Sequence, residues 1–232
     1  MMGRRYQVAV QGNRTMTRLV SRLAFGVACA ALAATTTAVR SAGGTAAATD
    51  WPSTNYDQTA NRYSPLTQIT AKNVGTLQQV WSFHLKPAGF TGPMREDEAI
   101  PIVIGNTMYL GSPYGAVIAL DATTGAEKWR FQLPDSELPS KRGVAYWPGG
   151  GDLPLPPSII FGSTTGKLYS LKAADGTLNE WFGETGVITL KTPEVMQTGT
   201  NVAYSLLSSP TIYKNLIITG AGTGEGPGGS NA

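Results

Sequence analysis

Ala119-Leu120-Asp121-Ala122-Thr123-Thr124-Gly125-Ala126-Glu127-Lys128-Trp129 reads as the end of a strand, a tight turn and a tryptophan. Ser170-Leu171-Lys172-Ala173-Ala174-Asp175-Gly176 through Trp181 repeats it, with one extra residue before the Trp. The two glycines stand 176 − 125 = 51 residues apart. Met108-Tyr109-Leu110-Gly111-Ser112 and Ile159-Ile160-Phe161-Gly162-Ser163 keep the same offset, 159 − 108 = 51. A further match lies two periods on, where Pro101-Ile102-Val103-Ile104-Gly105-Asn106 meets Pro210-Thr211-Ile212-Tyr213-Lys214-Asn215, and 210 − 101 = 109. Repeats of roughly 40–50 residues built from short strands indicate a β-propeller rather than a helical array. The expected fold is therefore all-β, a partial propeller of two to three blades. A propeller removes its sheet edges by closing a ring, and so short an arc leaves edges open. The chain reads on this ground as part of a longer protein or as the product of a truncated gene.

The strands follow from alternation and turn chemistry. Residues 100–104, 107–112 and 116–120 are runs of β-formers separated by Gly105-Asn106 and Tyr114-Gly115, as a meander requires. Strands are expected again at 158–161, 167–171 and 211–219, and Val80-Trp81-Ser82-Phe83 also reads as one. Gly125 and Gly176 sit where a hairpin turn needs positive φ. Trp129 and Trp181 recur with the repeat and are expected to pack the blades. Residues 134–157 read as one long Pro- and Gly-rich loop, a length usually reserved for function or disorder. The chain closes on a tail in which six of the ten residues from 220 to 229 are Gly.

Residues 1–48 are expected to be a signal peptide and residues 49–232 the propeller portion. Arg14, Arg18 and Arg22 precede the apolar run Leu23 to Ala34, and small residues follow. Cleavage fits after Ala42 or within Ala46-Ala47-Ala48. An uncleaved anchor is the alternative, although the run is short of the about 20 residues a span needs. Arg4-Arg5 lies far from the apolar run for a twin-arginine signal, Met16 is an alternative start, and Cys29 is either a lipoprotein site or a leader cysteine.

The leader also explains the basic balance. Residues 1–50 hold six Arg and one acid, Asp50, so 18 − 6 = 12 basic and 15 − 1 = 14 acidic residues remain. That balance offers no basic patch for nucleic acid. The single Cys lies in the leader, so residues 51–232 form no internal disulfide and must hold together by packing and strand pairing. His84 is the single histidine, read as structural, and no transition-metal cluster of His and Cys is available. No glycine fingerprint follows a strand and opens a helix, which argues against a nicotinamide enzyme.

Several stretches resemble the quinoprotein dehydrogenases, the enzymes that use pyrroloquinoline quinone (PQQ). Trp51-Pro52 through Tyr56, then Asn61-Arg62-Tyr63-Ser64-Pro65-Leu66, Gln68-Ile69, Asn73-Val74, Leu77 and Trp81 are similar to that family's N-terminal stretch. Glu98-Ala99-Ile100-Pro101 with Met108-Tyr109-Leu110 resembles its first blade. Arg142-Gly143-Val144-Ala145-Tyr146-Trp147-Pro148-Gly149 resembles a characteristic loop, and Phe182-Gly183-Glu184-Thr185-Gly186 and Gly224-Glu225 fit as well. The resemblance runs from about Trp51 to the last residue. It implies an eight-bladed ring with PQQ and Ca²⁺ on its axis. It further implies periplasmic oxidation of an alcohol, polyol or aldose, and a cytochrome c or a quinone as electron acceptor.

The same resemblance assigns candidate residues. Arg142 would contact PQQ, because a guanidinium offers paired donors to carboxylate or quinone oxygens; the plain alternative is a solvated loop arginine. Glu98 matches a cofactor-contacting acid, while Glu96 and Asp97 read as a solvated acidic turn. Ser163 or Thr164 would supply a cofactor-contacting hydroxyl, the register being open by one residue, although strand-end hydroxyls often satisfy a turn backbone instead. Gly222, Thr223 and Gly224 would approach the cofactor through backbone, and Glu225 matches a metal ligand, as calcium prefers carboxylate oxygen.

Two departures from the pattern matter. Many alcohol-oxidising members carry adjacent cysteines a few residues before the loop arginine. Here Ser136 and Glu137 stand at about that place, which tilts the reading toward the sugar- or polyol-oxidising branch. The family's catalytic Asp base and its further metal ligands are expected beyond residue 232, so this chain alone is expected to be inactive. Two rival readings are a non-enzymatic propeller scaffold of the outer-membrane assembly type, which needs the Trp turns but neither Arg142 nor Glu225, and a functionless product of gene decay.

Overall fold

The computed structural model describes residues 49–134, 136–150, 155–196 and 203–222. The 1–48 leader and the candidates Thr223, Gly224 and Glu225 lie outside them. No helix among the described residues is long and apolar enough to cross a membrane.

Four antiparallel strands form the first sheet, in sequential order: β1 (Ile102–Ile104), β2 (Thr107–Ser112), β3 (Ala116–Asp121) and β4 (Glu127–Gln132). A second sheet repeats the order with β5 (Ala145–Trp147), β6 (Ser158–Gly162), β7 (Lys167–Lys172) and β8 (Val187–Thr189). After the one-turn helix α1 (Pro193–Met196), β9 (Thr211–Tyr213) and β10 (Leu216–Ile218) pair as a hairpin. Two four-stranded meanders and a third begun are consecutive blades of a β-propeller.

The ladders show why the repeat reads as it does. Ile104 pairs with Thr107 across Gly105-Asn106, with Gly105 at φ 57°. Glycine at the first central position suits a two-residue hairpin loop, whose twist matches that of its strands. Tyr213 pairs with Leu216 across Lys214-Asn215, the matching turn two periods on, and here Lys214 itself takes φ 54°. Along β3, Val117 and Ala119 face one core, whereas Ala116, Ile118 and Leu120 face another. Both faces are covered, so Ala116 to Leu120 reads as a continuous apolar run.

The first core joins the two sheets face to face. Ile102, Tyr109, Val117 and Trp129 meet Val144, Ile159, Phe161, Tyr169 and Leu171, and the Phe161 and Tyr169 rings stack at 5.1 Å. A tryptophan and a glycine lock neighbouring units together. A Cβ on Gly176 would lie 2.5 Å from Trp129 Cε3, and the Trp129 indole N–H donates to the Ala173 carbonyl at 3.0 Å. One unit earlier the arrangement recurs. A Cβ on Gly125 would lie 2.6 Å from Trp81 Cε3, and Trp81 Nε1 donates to Ala122 O at 3.2 Å. Gly125 and Gly176, at φ 72° and 73°, thus serve two needs: the left-handed turn and the close approach of an indole.

Two expectations need correction, and a third meets no test. Trp181 is 74 % exposed, whereas Trp129 is 8 % exposed; Trp129 sits on a glycine of the next unit, and the matching seat for Trp181 lies outside the described residues. In the second sheet the Asn179 N–H donates to Ser170 O and the Ser170 N–H donates to Gly186 O, so residues 180–185 are looped out and carry Trp181 into solvent. The loop expected over 134–157 contains β5, whose Ala145 and Trp147 are buried and whose strand pairs with Ser158 to Ile160. Three strand residues among Gly143, Pro148 and Gly149 are too few to outweigh that composition. Val80 to Phe83 has no strand partner among the described residues. It is extended all the same, with Trp81, Phe83 and Leu85 set on the second core and Ser82 and His84 exposed.

Candidate functional site

The first strand of each sheet defines a set of equivalent positions. Ile102 pairs with Tyr109, Ala145 with Ile160 and Thr211 with Ile218; Tyr109, Ile160 and Ile218 keep the repeat offsets of 51 (160 − 109) and 109 (218 − 109), so their partners are equivalent through the register, although Ala145 follows Ile102 by only 145 − 102 = 43. Three residues upstream of each strand start stand Ala99 (102 − 3), Arg142 (145 − 3) and Ser208 (211 − 3). Chain segments that enter strands at equivalent places in successive blades converge on one end of the fold. Glu98, beside Ala99, therefore lies at the same mouth.

A cleft of about 730 Å³ opens there, lined by Glu98, Ile100, Arg142, Tyr146, Ser208 and Ser209 and by the segment from Pro52 to Asp57. That segment is held in place through its neighbours. Trp51 exchanges two backbone hydrogen bonds with Val103 at 2.8 and 2.9 Å, and the Gly105 N–H donates to Asp50 Oδ1 at 2.8 Å.

Arg142 and Glu98 meet in the cleft, with Nη2 3.7 Å from Oε2 and both side chains at least half exposed. Such a pair contributes little to stability, about 0–1 kcal/mol. At that distance the guanidinium keeps donors for another carboxylate. The backbone beneath Arg142 is well held. Its N–H donates to Leu207 O at 3.3 Å, which ties the loop to the third unit. Gly143, at φ 106°, lets the chain pass the first blade, where a Cβ would lie 2.8 Å from Ile100 O. Burial raises the Tyr146 phenol above its usual value, and the Asp50 charge adds to this, so Tyr146 faces the cleft as a neutral hydroxyl.

The structure thus brings Glu98 and Arg142 together but sets Ser163 and Thr164 apart from them. Ser163 is fully buried and its hydroxyl donates to Glu137 Oε1 at 2.5 Å. Thr164 Oγ1 accepts from the Leu138 N–H at 3.1 Å. Neither lines the cleft. Gly222 forms a bridge with Ser205 and does not line it either. Ser208 and Ser209, which sequence reasoning missed, also line the cleft, beside the hydroxyl residues Ser53, Thr54, Tyr56, Tyr146 and Thr211. The offset of 109 that pairs Pro210 with Pro101 maps Ser208 onto Ala99, next to Glu98, and so contained the signal. Among the described residues no group of three or more His, Cys, Asp and Glu is placed to hold a metal ion.

Fold and cleft together define a partial propeller with a hydroxyl-lined cleft, carrying Arg62 and Arg142 beside Asp57 and Glu98, where the first strands of its sheets begin. The family described as "PQQ: Glucose/ethanol/alcohol dehydrogenase, beta-propeller domain" matches residues 51–230, and the chain belongs to that family. It is 33% identical over 160 residues to the quinoprotein glucose dehydrogenase of Escherichia coli (strain K12), covering 61% of this chain and 20% of that protein. It is 30% identical over 217 residues to the 1-butanol dehydrogenase (cytochrome c) of Thauera butanivorans, covering 89% of this chain and 26% of the relative. The crystal structure of quinohemoprotein alcohol dehydrogenase from Comamonas testosteroni matches with a TM-score of 0.58 at 30% identity, over 77% of this chain and 24% of that one. The chain spans about a fifth to a quarter of the length of these relatives.

Proposed function

We propose that this chain forms the N-terminal wall of the cofactor site in an exported, periplasmic quinoprotein that oxidises an alcohol, polyol or aldose. The observation that carries the reading is the meeting of Arg142 and Glu98 in one open cleft at the mouth of the first strands. The residues present suit PQQ, a flat molecule bearing several carboxylates and an ortho-quinone. Arg142 supplies paired donors for a carboxylate or the quinone oxygens. The Ser208 hydroxyl adds a donor of lower strength, the Ser209 hydroxyl being given to the Val144 carbonyl at 3.1 Å, and Glu98 would accept a hydrogen bond from the cofactor. Bound PQQ supplies an acceptor for the two electrons and the hydrogen leaving the substrate carbinol.

The protein's part is to bind and orient. Arg142, whose contact with Glu98 is loose at 3.7 Å, would hold a carboxylate of the cofactor. The base that takes the hydroxyl proton, an Asp, and the remaining ligands of a Ca²⁺ ion are assigned to chain beyond residue 232, with Glu225 as this chain's contribution. A cytochrome c or a quinone accepts the electrons. Accordingly, residues 49–232 alone are inactive, and the test is reconstitution with PQQ and Ca²⁺ in the presence of a dye acceptor. Dye reduction by the full-length protein, together with its loss in R142A, supports the reading. Dye reduction by residues 49–232 alone overturns the assignment of the base. A full-length R142A protein as active as the wild type overturns the cofactor site. Export is tested separately, by recovering the mature protein from the periplasm with residues 1–48 removed.

A further inference from the structure

Among the described residues Glu137 is the most deeply buried acid side chain in an ion pair, only 3% exposed, and it does not line the cleft. Both of its carboxylate oxygens are used. Oε1 accepts from the Ser163 hydroxyl at 2.5 Å and from the Thr165 hydroxyl. Oε2 accepts from the Tyr169 hydroxyl at 2.9 Å and from Lys167 Nζ at 3.2 Å. Ser163 and Thr165 stand on the turn between β6 and β7, and Lys167 and Tyr169 on β7, whereas Glu137 stands on the connection from β4 to β5. The carboxylate therefore clamps that connection to the second blade. Burial pushes the Glu137 carboxyl up, but the four donors outweigh it and hold it below the usual carboxylate range.

The clamp is followed by a run of backbone contacts that ends at Arg142. Leu138 and Thr164 exchange contacts, through Leu138 N–H to Thr164 Oγ1 and Thr164 N–H to Leu138 O at 3.0 Å. Pro139 bridges Ser163, and the Ser140 N–H donates to Gly162 O at 2.7 Å. The Ser140 hydroxyl donates to Gly143 O at 2.5 Å, closing the turn in which Arg142 sits. We propose that Glu137 is a positioning residue for the cleft: its carboxylate fixes residues 138–143 against the second blade and so sets where the Arg142 guanidinium presents itself. The inference rests on the reading of Arg142 as a PQQ contact.

The test is a double-mutant cycle in the full-length protein, read as PQQ affinity by equilibrium dialysis at fixed Ca²⁺. R142A is expected to weaken binding by about tenfold to a hundredfold, as loss of a hydrogen bond to a charged group does. E137A is expected to give a large part of that loss, and E137A/R142A to bind within about twofold of R142A alone, because the two residues act through one contact. Losses that multiply, or an E137A protein that binds as wild type, overturn the proposal. Should E137A not fold, E137Q takes its place in the same cycle. Hydrogen exchange supplies the readout that is independent of the cofactor. In E137Q the amides of Leu138 and of residues 140–143 should exchange faster while those of β2 and β3 are unchanged. An unchanged rate at Leu138 and 140–143 overturns the clamp. If R142A binds PQQ normally, the cofactor assignment of Arg142 fails, and hydrogen exchange still decides whether Glu137 anchors the loop.

Discussion

The first and second blades share strand order, ladder register and a left-handed glycine at the same turn, yet they differ in the fourth strand. In the first blade that strand runs unbroken from Glu127 to Gln132 and places Trp129 on the glycine of the next blade. In the second, Leu178 still bridges Leu171, but residues 180–185 leave the sheet before β8 resumes at Val187. Trp129 is buried on a glycine of the next unit, and its counterpart Trp181, whose matching seat lies outside the described residues, is exposed. Sharing a motif does not ensure sharing an environment; burial also depends on the neighbouring unit that receives the residue.

The sharpest way to break this comparison is to truncate each tryptophan. W129A removes a buried indole that fills a close-fitting seat and satisfies the Ala173 carbonyl, and should cost about 3–5 kcal/mol. W181A should change the stability of this chain by less than about 0.5 kcal/mol, as exposed positions do. Denaturant melts of the two variants, with similar losses, would refute the contrast. Next in size is the seat itself. G176A adds a Cβ 2.5 Å from the Trp129 ring at φ 73°, and should cost about 2–4 kcal/mol. G125A is expected to cost less, since Trp81 is only half-buried. Equal melting shifts would show that turn strain, not the indole, sets both values.

The connection between the blades gives a smaller effect that depends on pH. The folded Glu137 carboxyl titrates below its ordinary value of 4.5, so the stability it contributes is present above that value. It is lost as pH falls from there through the lower folded value. Acid unfolding followed by circular dichroism should show this loss in wild type and a flatter profile in E137Q. The smallest expected effect is in the cleft. E98Q removes the partner of Arg142 from an exposed pair and should alter stability by less than about 1 kcal/mol. A thermal shift larger than that would mean the pair supports the fold rather than the site.

Much of this architecture was legible before any coordinates. Strands β2, β3, β6 and β7 lie where alternation and flanking turns placed them, and Gly125 and Gly176 have the positive φ their turns required. The site was legible in part. Arg142 and Glu98 were found by resemblance and do meet, while Ser208 and Ser209 were overlooked because a Ser-Ser-Pro stretch looks like any turn. Glu137 was noted only as a departure from a cysteine pattern. Its four donors lie 26 to 32 residues away along the chain, beyond any local pattern.

Short-range chemistry was enough for the blades: β-formers alternate, and glycine alone accepts the left-handed turn without cost. Neighbours in space set the rest. Trp129 is buried because Gly176 leaves room for it, and Ser163 turns from the cleft because Glu137 accepts its hydroxyl. Burial and hydrogen-bond partnership belong to pairs of segments, and which segments meet depends on how the blades pack.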